Sequence, residues 1–289
     1  MDERSALAAL ADRVGEAGDD AAVIDGLVLT TDMLHERTDF PTGVTRYTAG
    51  WRTIGASLSD VAAMGGTATA AVAAYGAPEF DPEEVAAFVD GAADVCGTVD
   101  ARYVGGDLDD HDEFTVAGAV VGRVEEPVYR SGAAPDDGVF VTGTLGRSAA
   151  AIREFEAGNA DRGNELFRFD PRVETGRALA PVATAMMDSS DGLARSLHQL
   201  AAASDCGVRI AWDRLPVDPS VDAVAADDAD RRELAAFFGE DFELVFTAPA
   251  ARLDEVRAEL PVPVTRIGRV TDGDVVADGE PLPDRGYTH

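Results

Sequence analysis

Short apolar runs that stop at turns built from Asp, Glu, Gly, Ser and Thr recur along this chain. They set the tightest limit on how it can fold. The clearest cases are Gly18-Asp19-Asp20, Thr30-Thr31-Asp32, Ser59-Asp60, Gly106-Asp107, Asp188-Ser189-Ser190-Asp191-Gly192 and Gly239-Glu240-Asp241. The apolar runs have to be buried, which pins the acids at the ends of buried elements. Loops at one edge of a sheet line a common cleft, so acids at strand ends can converge. Converging carboxylates repel one another unless cations hold them together. The longest of these stretches separates an apolar segment, Ala178 to Met187, from an amphipathic one carrying Leu193, Leu197, Leu200 and Ala201. Asp, Ser and Gly at such a junction suit a helix N-cap, whose free N–H groups attract anions. Carboxylate and hydroxyl oxygens are equally the ligands that Mg²⁺ prefers. The sequence leaves both readings open.

Charge narrows the function classes. Asp and Glu number 54 against 24 basic residues, a net charge of −30, and every basic residue is Arg. Such a surface opposes binding to nucleic acid or to an anionic membrane. Acid excess without Lys fits a salt-rich cytoplasm, where screening moderates self-repulsion, and implies that many acids are solvated surface. Without Lys there is no Walker-type phosphate loop and no kinase strand Lys. Polyphosphate would have to be neutralised by metal ions, Arg and backbone N–H groups. No apolar run is long enough to span a bilayer, and Met1-Asp2-Glu3-Arg4 lacks a signal-peptide core, so the cytoplasm is the expected location. Cys96 and Cys206 are isolated, and His35, His111, His198 and His289 show no metal-ligand spacing. His198 reads as a structural residue.

Periodicity predicts helix over 4–16, then strands Ala21–Ile24 and Leu27–Thr31 joined by Asp25-Gly26, a strong hairpin signal. Trp51, Ile54, Leu58, Val61 and Met64 mark a helix over 45–64 that stops at Gly65-Gly66. Thr67–Tyr75 reads as strand, and Asp81-Pro82 opens a helix running to about Val99. Arg102–Val104 is a short strand leading into a turn at Gly105–Asp110, and Phe114–Val124 is a strand. A Pro-, Gly- and Asp-rich shift at Glu125–Gly138 places a domain boundary there, giving domains 1–128 and 129–289. The second half has strands at Val139–Thr142, Val208–Ala211, Phe242–Ala248 and Val264–Val270. Helices are expected at Leu145–Glu156, 172–184, from the focal stretch to Ala203, and over 229–238 and 251–260. Mixed strands and helices in both halves make the fold class α+β, or mixed α/β.

Several segments also occur in a fixed order: Gly18-Asp19-Asp20-Ala21-Ala22, Thr30-Thr31-Asp32-Met33, Gly50-Trp51 running to Ser57-Leu58-Ser59-Asp60-Val61-Ala62-Ala63-Met64-Gly65, Gly105-Gly106-Asp107, Arg130-Ser131-Gly132-Ala133, Val141-Thr142-Gly143-Thr144-Leu145-Gly146, Asp188-Ser189-Ser190-Asp191-Gly192-Leu193 and Gly239-Glu240-Asp241-Phe242-Glu243-Leu244. Together they resemble the thiamine-monophosphate kinases of the AIR synthase (PurM-like) superfamily over nearly the whole chain.

The resemblance implies a PurM-like two-domain architecture. The N-terminal sheet would form a barrel across a homodimer, and a C-terminal α/β domain would complete the site. It implies ATP-dependent phosphorylation of thiamine monophosphate to thiamine diphosphate by direct in-line transfer, assisted by several Mg²⁺ ions and without a covalent nucleophile. By position, Asp20, Thr30, Thr31, Asp32, Asp60, Asp107, Asp188 and Asp191 would be metal ligands, Thr31 through its backbone. Gly106, Asp107, Arg130 and Ser190 would contact ATP, and Glu240 the substrate. Departures from the family pattern fall in the thiamine pocket. Asp39 precedes Phe40 where His is usual, Leu108-Asp109-Asp110 stands where Thr-Thr is common, and the C-terminal aromatic is displaced, with Tyr287 its substitute. The competing readings are another PurM-like ATP-dependent enzyme (aminoimidazole ribonucleotide synthase-like or hydrogenase-maturation-like) and a non-catalytic ATP–Mg²⁺ sensor.

Overall fold

The computed structural model describes Val14 and residues 18–287. The helix expected over 4–16 lies, Val14 apart, outside the described residues. The first sheet has strands β1 (Ala22–Ile24), β2 (Leu27–His35), β3 (Thr67–Ala77), β4 (Arg102–Asp110) and β5 (Thr115–Arg123), ordered β1-β2-β5-β3-β4. Asp25 and Gly26 turn the β1–β2 hairpin with φ of 51° and 76°, the left-handed pair that a tight primed turn requires. The short helix α1 (Glu36–Asp39) follows β2, and β3 pairs parallel with β4 through the crossover helix α3 (Pro82–Gly97).

Helix α2 (Arg46–Ala63) backs this sheet. Thr45 caps it, its hydroxyl accepting the Thr48 N–H, and Ile54, Leu58 and Val61 are fully buried. The alternation along β2 sends Val28, Thr30, Asp32 and Leu34 toward that helix. Ile24, Leu27, Leu29, Met33 and Val72 stay 40–59% exposed on the opposite side of the sheet.

The second sheet has strands β6 (Gly138–Thr142), β7 (Ala185–Asp188), β8 (Gly207–Ile210), β9 (Leu244–Ala248), β10 (Val264–Thr271), β11 (Val275–Ala277) and β12 (Glu280–Pro281), ordered β12-β11-β8-β10-β6-β9-β7. Its helices are α4 (Arg147–Glu156), α5 (Ala160–Phe167), α6 (Val173–Leu179), α7 (Leu193–Ala203), α8 (Pro219–Val224), α9 (Asp228–Ala236) and α10 (Ala250–Val256). Strands β6, β7 and β9 are buried along their whole length, as strands covered on both faces must be. Val139, Val141, Leu197 and Leu200 form a core on one face. Phe140, Met186 and Phe246 on the other join Ile54 and Leu58 of α2 in a core shared by the two sheets. That shared core brings the C-terminal end of β7 against α2.

Several expectations change. The segment Gly105–Asp110 is not a turn but a continuation of β4. A bulge at Gly105 (φ 131°) keeps it paired with β3, and Gly106 lies so close that a Cβ would fall 1.8 Å from the Ala73 carbonyl oxygen. The strand expected from Phe242 begins at Leu244, because Phe242 takes a φ of 53°. The expected helix over 172–184 is the shorter α6. α1, α5, α8, β7, β11 and β12 have no counterpart in the sequence reading.

Candidate active site

Asp60, in the last turn of α2, receives a short hydrogen bond from the Thr30 hydroxyl. Asp32, two residues further along β2, accepts the Ser57 hydroxyl at 2.9 Å. Asp20 lies just before β1 and is gripped by Arg130 through Nη2 at 2.8 Å and Nε at 3.3 Å. Asp188 ends β7 and is 2% exposed. Asp20, Asp60 and Asp188 thus arrive from three separate segments, and a carboxylate oxygen from each lies within 4.8 Å of the others.

This cluster is electrostatically strained. Burial, then the charges of Asp32 and Asp188, push the Asp60 carboxyl well above the ordinary carboxylate range. Burial and the nearby Asp20 do the same to Asp188. Burial works against the Arg130 cation, but Asp20 and Asp188 hold its proton more firmly than usual. Among the described residues, one Asp188 oxygen, Oδ2, and the Ser189 hydroxyl are buried without a hydrogen-bond partner. Orphaned buried oxygens carry a desolvation cost that a bound cation removes. An all-oxygen donor set with surplus negative charge therefore fits a hard divalent cation such as Mg²⁺.

Beyond Asp188 the chain turns sharply into α7. Gly192, at φ 102° and ψ 152°, occupies the cap position, and no side chain caps the helix. Of the Asp, Ser and Gly that suit a cap here, Gly192 takes the position. The first N–H groups of α7 lack a side-chain acceptor, as at anion-binding helix ends. The Ser190 and Asp191 carbonyls instead accept the Glu240 and Tyr287 N–H groups at 2.6 and 3.0 Å. Ser190 and Asp191 are half-buried, and Asp191 lies outside the three-carboxylate cluster.

The remaining candidates divide by strand alternation. Thr31 faces away from the cluster, its hydroxyl donating to the Gly118 carbonyl at 2.8 Å, so only its backbone is left for a ligand role. Gly106 and Asp107 sit on β4, both exposed. Asp107 shares a row with Ala74, Ala117 and Met33, on the face opposite Asp32, and accepts the Leu108 N–H at 3.0 Å. Within one chain, then, Asp107 does not project into the carboxylate cluster as the sequence reading expects, while the outward turn of the Thr31 side chain is in keeping with the backbone role the resemblance implies.

Glu240 takes a φ of 63° and forms an ion pair of 2.5 Å with Arg52, whose side chain is 2% exposed. The guanidinium carbon lies 3.6 Å from the Phe167 ring centroid, and Arg52 also donates to the Phe167 and Glu240 carbonyls. The Tyr287 hydroxyl donates to the Thr38 carbonyl at 2.9 Å. Burial, then Glu240 and Asp39, push this phenol up to about 12. Asp39 is buried and accepts the His35 N–H and the Thr38 hydroxyl, so it is tied to its own turn.

Sequence reasoning missed Arg52, whose one signal is a cation in the interior of the small-residue helix α2. It also missed the role of Asp241. This buried carboxyl accepts the Gly146 and Ser148 N–H groups at the start of α4, and burial raises it to about 7 against those bonds. Arg172 is likewise a new element, paired with Glu243 through two nitrogens.

Two sheets sharing a core, with carboxylates from both converging where β7 meets α2, define an AIR synthase-type protein. Residues 18–124 match the family described as AIR synthase related protein, N-terminal domain, and residues 134–278 match its C-terminal domain. The chain is 61% identical to the thiamine-monophosphate kinase of Halobacterium salinarum over 292 aligned positions, covering 100% of both chains. It is 41% identical to that of Methanospirillum hungatei, covering 100% of this chain and 99% of the relative. The chain belongs to the thiamine-monophosphate kinase family. Among solved structures it is similar to AaThiL complexed with AMPPCP and TMP (TM-score 0.91, 28% identity, 100% and 97% of the two chains covered). It is also similar to the Stenotrophomonas maltophilia thiamine-monophosphate kinase (TM-score 0.82, 31% identity, 96% and 95% covered).

Proposed function

We propose that the protein transfers the γ-phosphoryl group of ATP to the phosphate of thiamine monophosphate, giving thiamine diphosphate and ADP. A phosphate oxygen of the acceptor forms the new P–O bond, and the bond to the β-phosphate breaks with its electrons leaving on ADP. The observation that carries this reading is the carboxylate cluster of Asp20, Asp60 and Asp188 with its orphaned buried oxygen. It lies beside a helix start that no side chain caps. Asp20, Asp32, Asp60 and Asp188 would hold Mg²⁺, with Thr30 supporting Asp60 and Asp191 nearby. The bound ions would neutralise phosphate charge, which is the main demand of phosphoryl transfer. Arg130 and Ser190 would meet the ATP phosphates and supply, with backbone N–H groups, what a Lys supplies elsewhere. Glu240 and Tyr287 would meet the thiamine end, Glu240 held by Arg52 in one orientation.

The same reading extends to assembly. A homodimer formed through the exposed face of the first sheet would cover Leu27, Leu29, Met33 and Val72, and would bring Asp107 of that face, with its neighbour Gly106, near a bound nucleotide. Among the described residues no helix is long and apolar enough to cross a membrane, which is compatible with cytoplasmic work on small phosphorylated substrates.

The test is ADP release from ATP by protein shown to be folded in high KCl. Release must depend on both thiamine monophosphate and Mg²⁺. ADP release driven instead by an amide or carbamoyl acceptor, or ATP binding without turnover, sinks the proposal.

A further inference from the structure

The second sheet carries a feature unrelated to the carboxylate cluster. At its far end, around β8, β10 and β11, a depression of about 470 Å³ is lined by Arg209, Arg214, Arg266 and Arg269. Strands β6 and β9 separate β10 from β7, which holds Asp188. Four cations in one concavity are unexpected in a chain with 54 acids and 24 basic residues. Among the described residues none of the four is in an ion pair. By contrast Arg46, Arg52, Arg130, Arg172 and Arg285 all have carboxylate partners.

Two details show that the backbone itself assembles this group. Residues three apart on a regular strand point to opposite faces. A bulge between Arg266 and Gly268 adds one residue to β10, and both Arg266 and Arg269 emerge exposed around the buried Ile267. Arg269 is also the direct antiparallel partner of Arg209. Like charges placed opposite one another on neighbouring strands destabilise a sheet, their Cβ atoms being about 5 Å apart. Asp278, the acid lining the depression, sits at φ 50° and forms no ion pair with these arginines among the described residues. The cavity is within the size of small-molecule sites, about 300–1,000 Å³. Guanidinium forks match phosphate oxygens bidentately and stay charged at any working pH.

We infer that this depression is a binding site for a multivalent phosphate anion, a di- or triphosphate, separate from the carboxylate cluster. Its concave shape and four lining guanidinium groups favour a compact small molecule. Bound phosphate would relieve the Arg209–Arg269 repulsion, so occupancy would stabilise the second domain.

The experiment is calorimetric titration with inorganic tripolyphosphate at fixed KCl. EDTA is present, so that phosphate binding at the carboxylate cluster lacks its cation. Wild type is expected to bind one anion saturably, more tightly than it binds orthophosphate, with affinity falling as KCl rises. Arg209→Ser with Arg269→Thr should weaken binding at least tenfold, and Arg266→Ala should weaken it by less. Arg162→Ala, at an exposed pair elsewhere, should leave it unchanged. The ligand-free double variant should melt no lower than wild type, and its Tm should not rise with tripolyphosphate. Absence of a saturable heat in wild type, equal affinity in the double variant, or a lower ligand-free Tm in it overturns the inference.

Discussion

Arg52 offers the sharpest test of how the site is held. Arg52→Met removes the cation from a pair whose side chains are 2% and 12% exposed. It leaves the Glu240 carboxylate, and the Phe167 and Glu240 carbonyls, without that donor. Breaking a buried ion pair from one side costs about 3–5 kcal/mol. The lost cation–ring contact with Phe167 adds about 1 kcal/mol, and Met packing against the same rings returns about 1 kcal/mol. The expected destabilisation is about 4 kcal/mol, large against a typical total stability of about 5–15 kcal/mol. Glu240→Gln keeps an acceptor for Arg52 but strands the guanidinium charge, for about 3 kcal/mol. Once one partner is gone the second loss is smaller, so the double variant should fall short of additivity by about 2 kcal/mol. Equilibrium urea denaturation at fixed KCl, followed by circular dichroism with slopes compared, reads all four proteins. A single variant within about 1 kcal/mol of wild type, or strict additivity, refutes the claim that this pair locks Glu240 in place. Arg52→Lys retains the charge but not the fork. It should raise KM for thiamine monophosphate more than it lowers kcat.

Three further outcomes follow from the site. Asp60→Asn and Asp188→Asn should each lower turnover by about 100-fold or more. Their melting temperatures in EDTA should hold or rise, because each removes one of the mutually repelling carboxylates; a drop in stability matching the drop in activity would argue against the metal role. The EDTA-treated protein should lose stability as pH rises from about 4 to 7. Asp60 and Asp188 have folded values well above the usual 3.8, and Asp241 is raised to about 7. The folded state therefore binds more protons than the unfolded state in that window, and unfolding free energy falls with pH. Excess Mg²⁺ should flatten the part due to Asp60 and Asp188, and a stability that climbs through this window would contradict the assignment. Wild type should sediment as the proposed dimer and Leu29→Arg, which charges a residue 54% exposed on the first sheet, as a monomer; an unchanged dimer would move the interface elsewhere.

Local chemistry was legible in the sequence where it acts over a few residues. Asp25-Gly26 announced its hairpin because φ > 0 at both positions leaves few alternatives. The helix through Ile54, Leu58 and Val61 announced itself by spacing, and Gly65 by its stop. The acidic grammar pointed to Asp20, Asp60 and Asp188, which do converge. Facing depends on register, which local pattern does not show. A two-residue period turns the Thr31 side chain to the far side of β2, leaving it the backbone role expected of it, while its neighbours Thr30 and Asp32 face the cluster. A bulge keeps Asp107 inside β4 rather than in a turn. Asp241 caps a helix that begins at Arg147, a partnership between segments far apart in sequence that local pattern cannot reveal.

Arg52 was hidden for a related reason, and it shows how a chain so acidic assembles a site of carboxylates. Without Lys, every buried cation is a guanidinium that cannot shed its proton and that binds carboxylates through two nitrogens. Arg130 takes Asp20 in this way and Arg172 takes Glu243, while Arg52 divides its donors between Glu240 and two carbonyls. These three cations tie down acids around the cluster and leave Asp60 and Asp188 without an Arg partner among the described residues. Burial and mutual repulsion hold both of these carboxyls well above the ordinary range, and one of them carries the orphaned oxygen. On this argument the sparing use of Arg marks the place left for the proposed Mg²⁺. Placing a new Arg there should compete with Mg²⁺ rather than assist it.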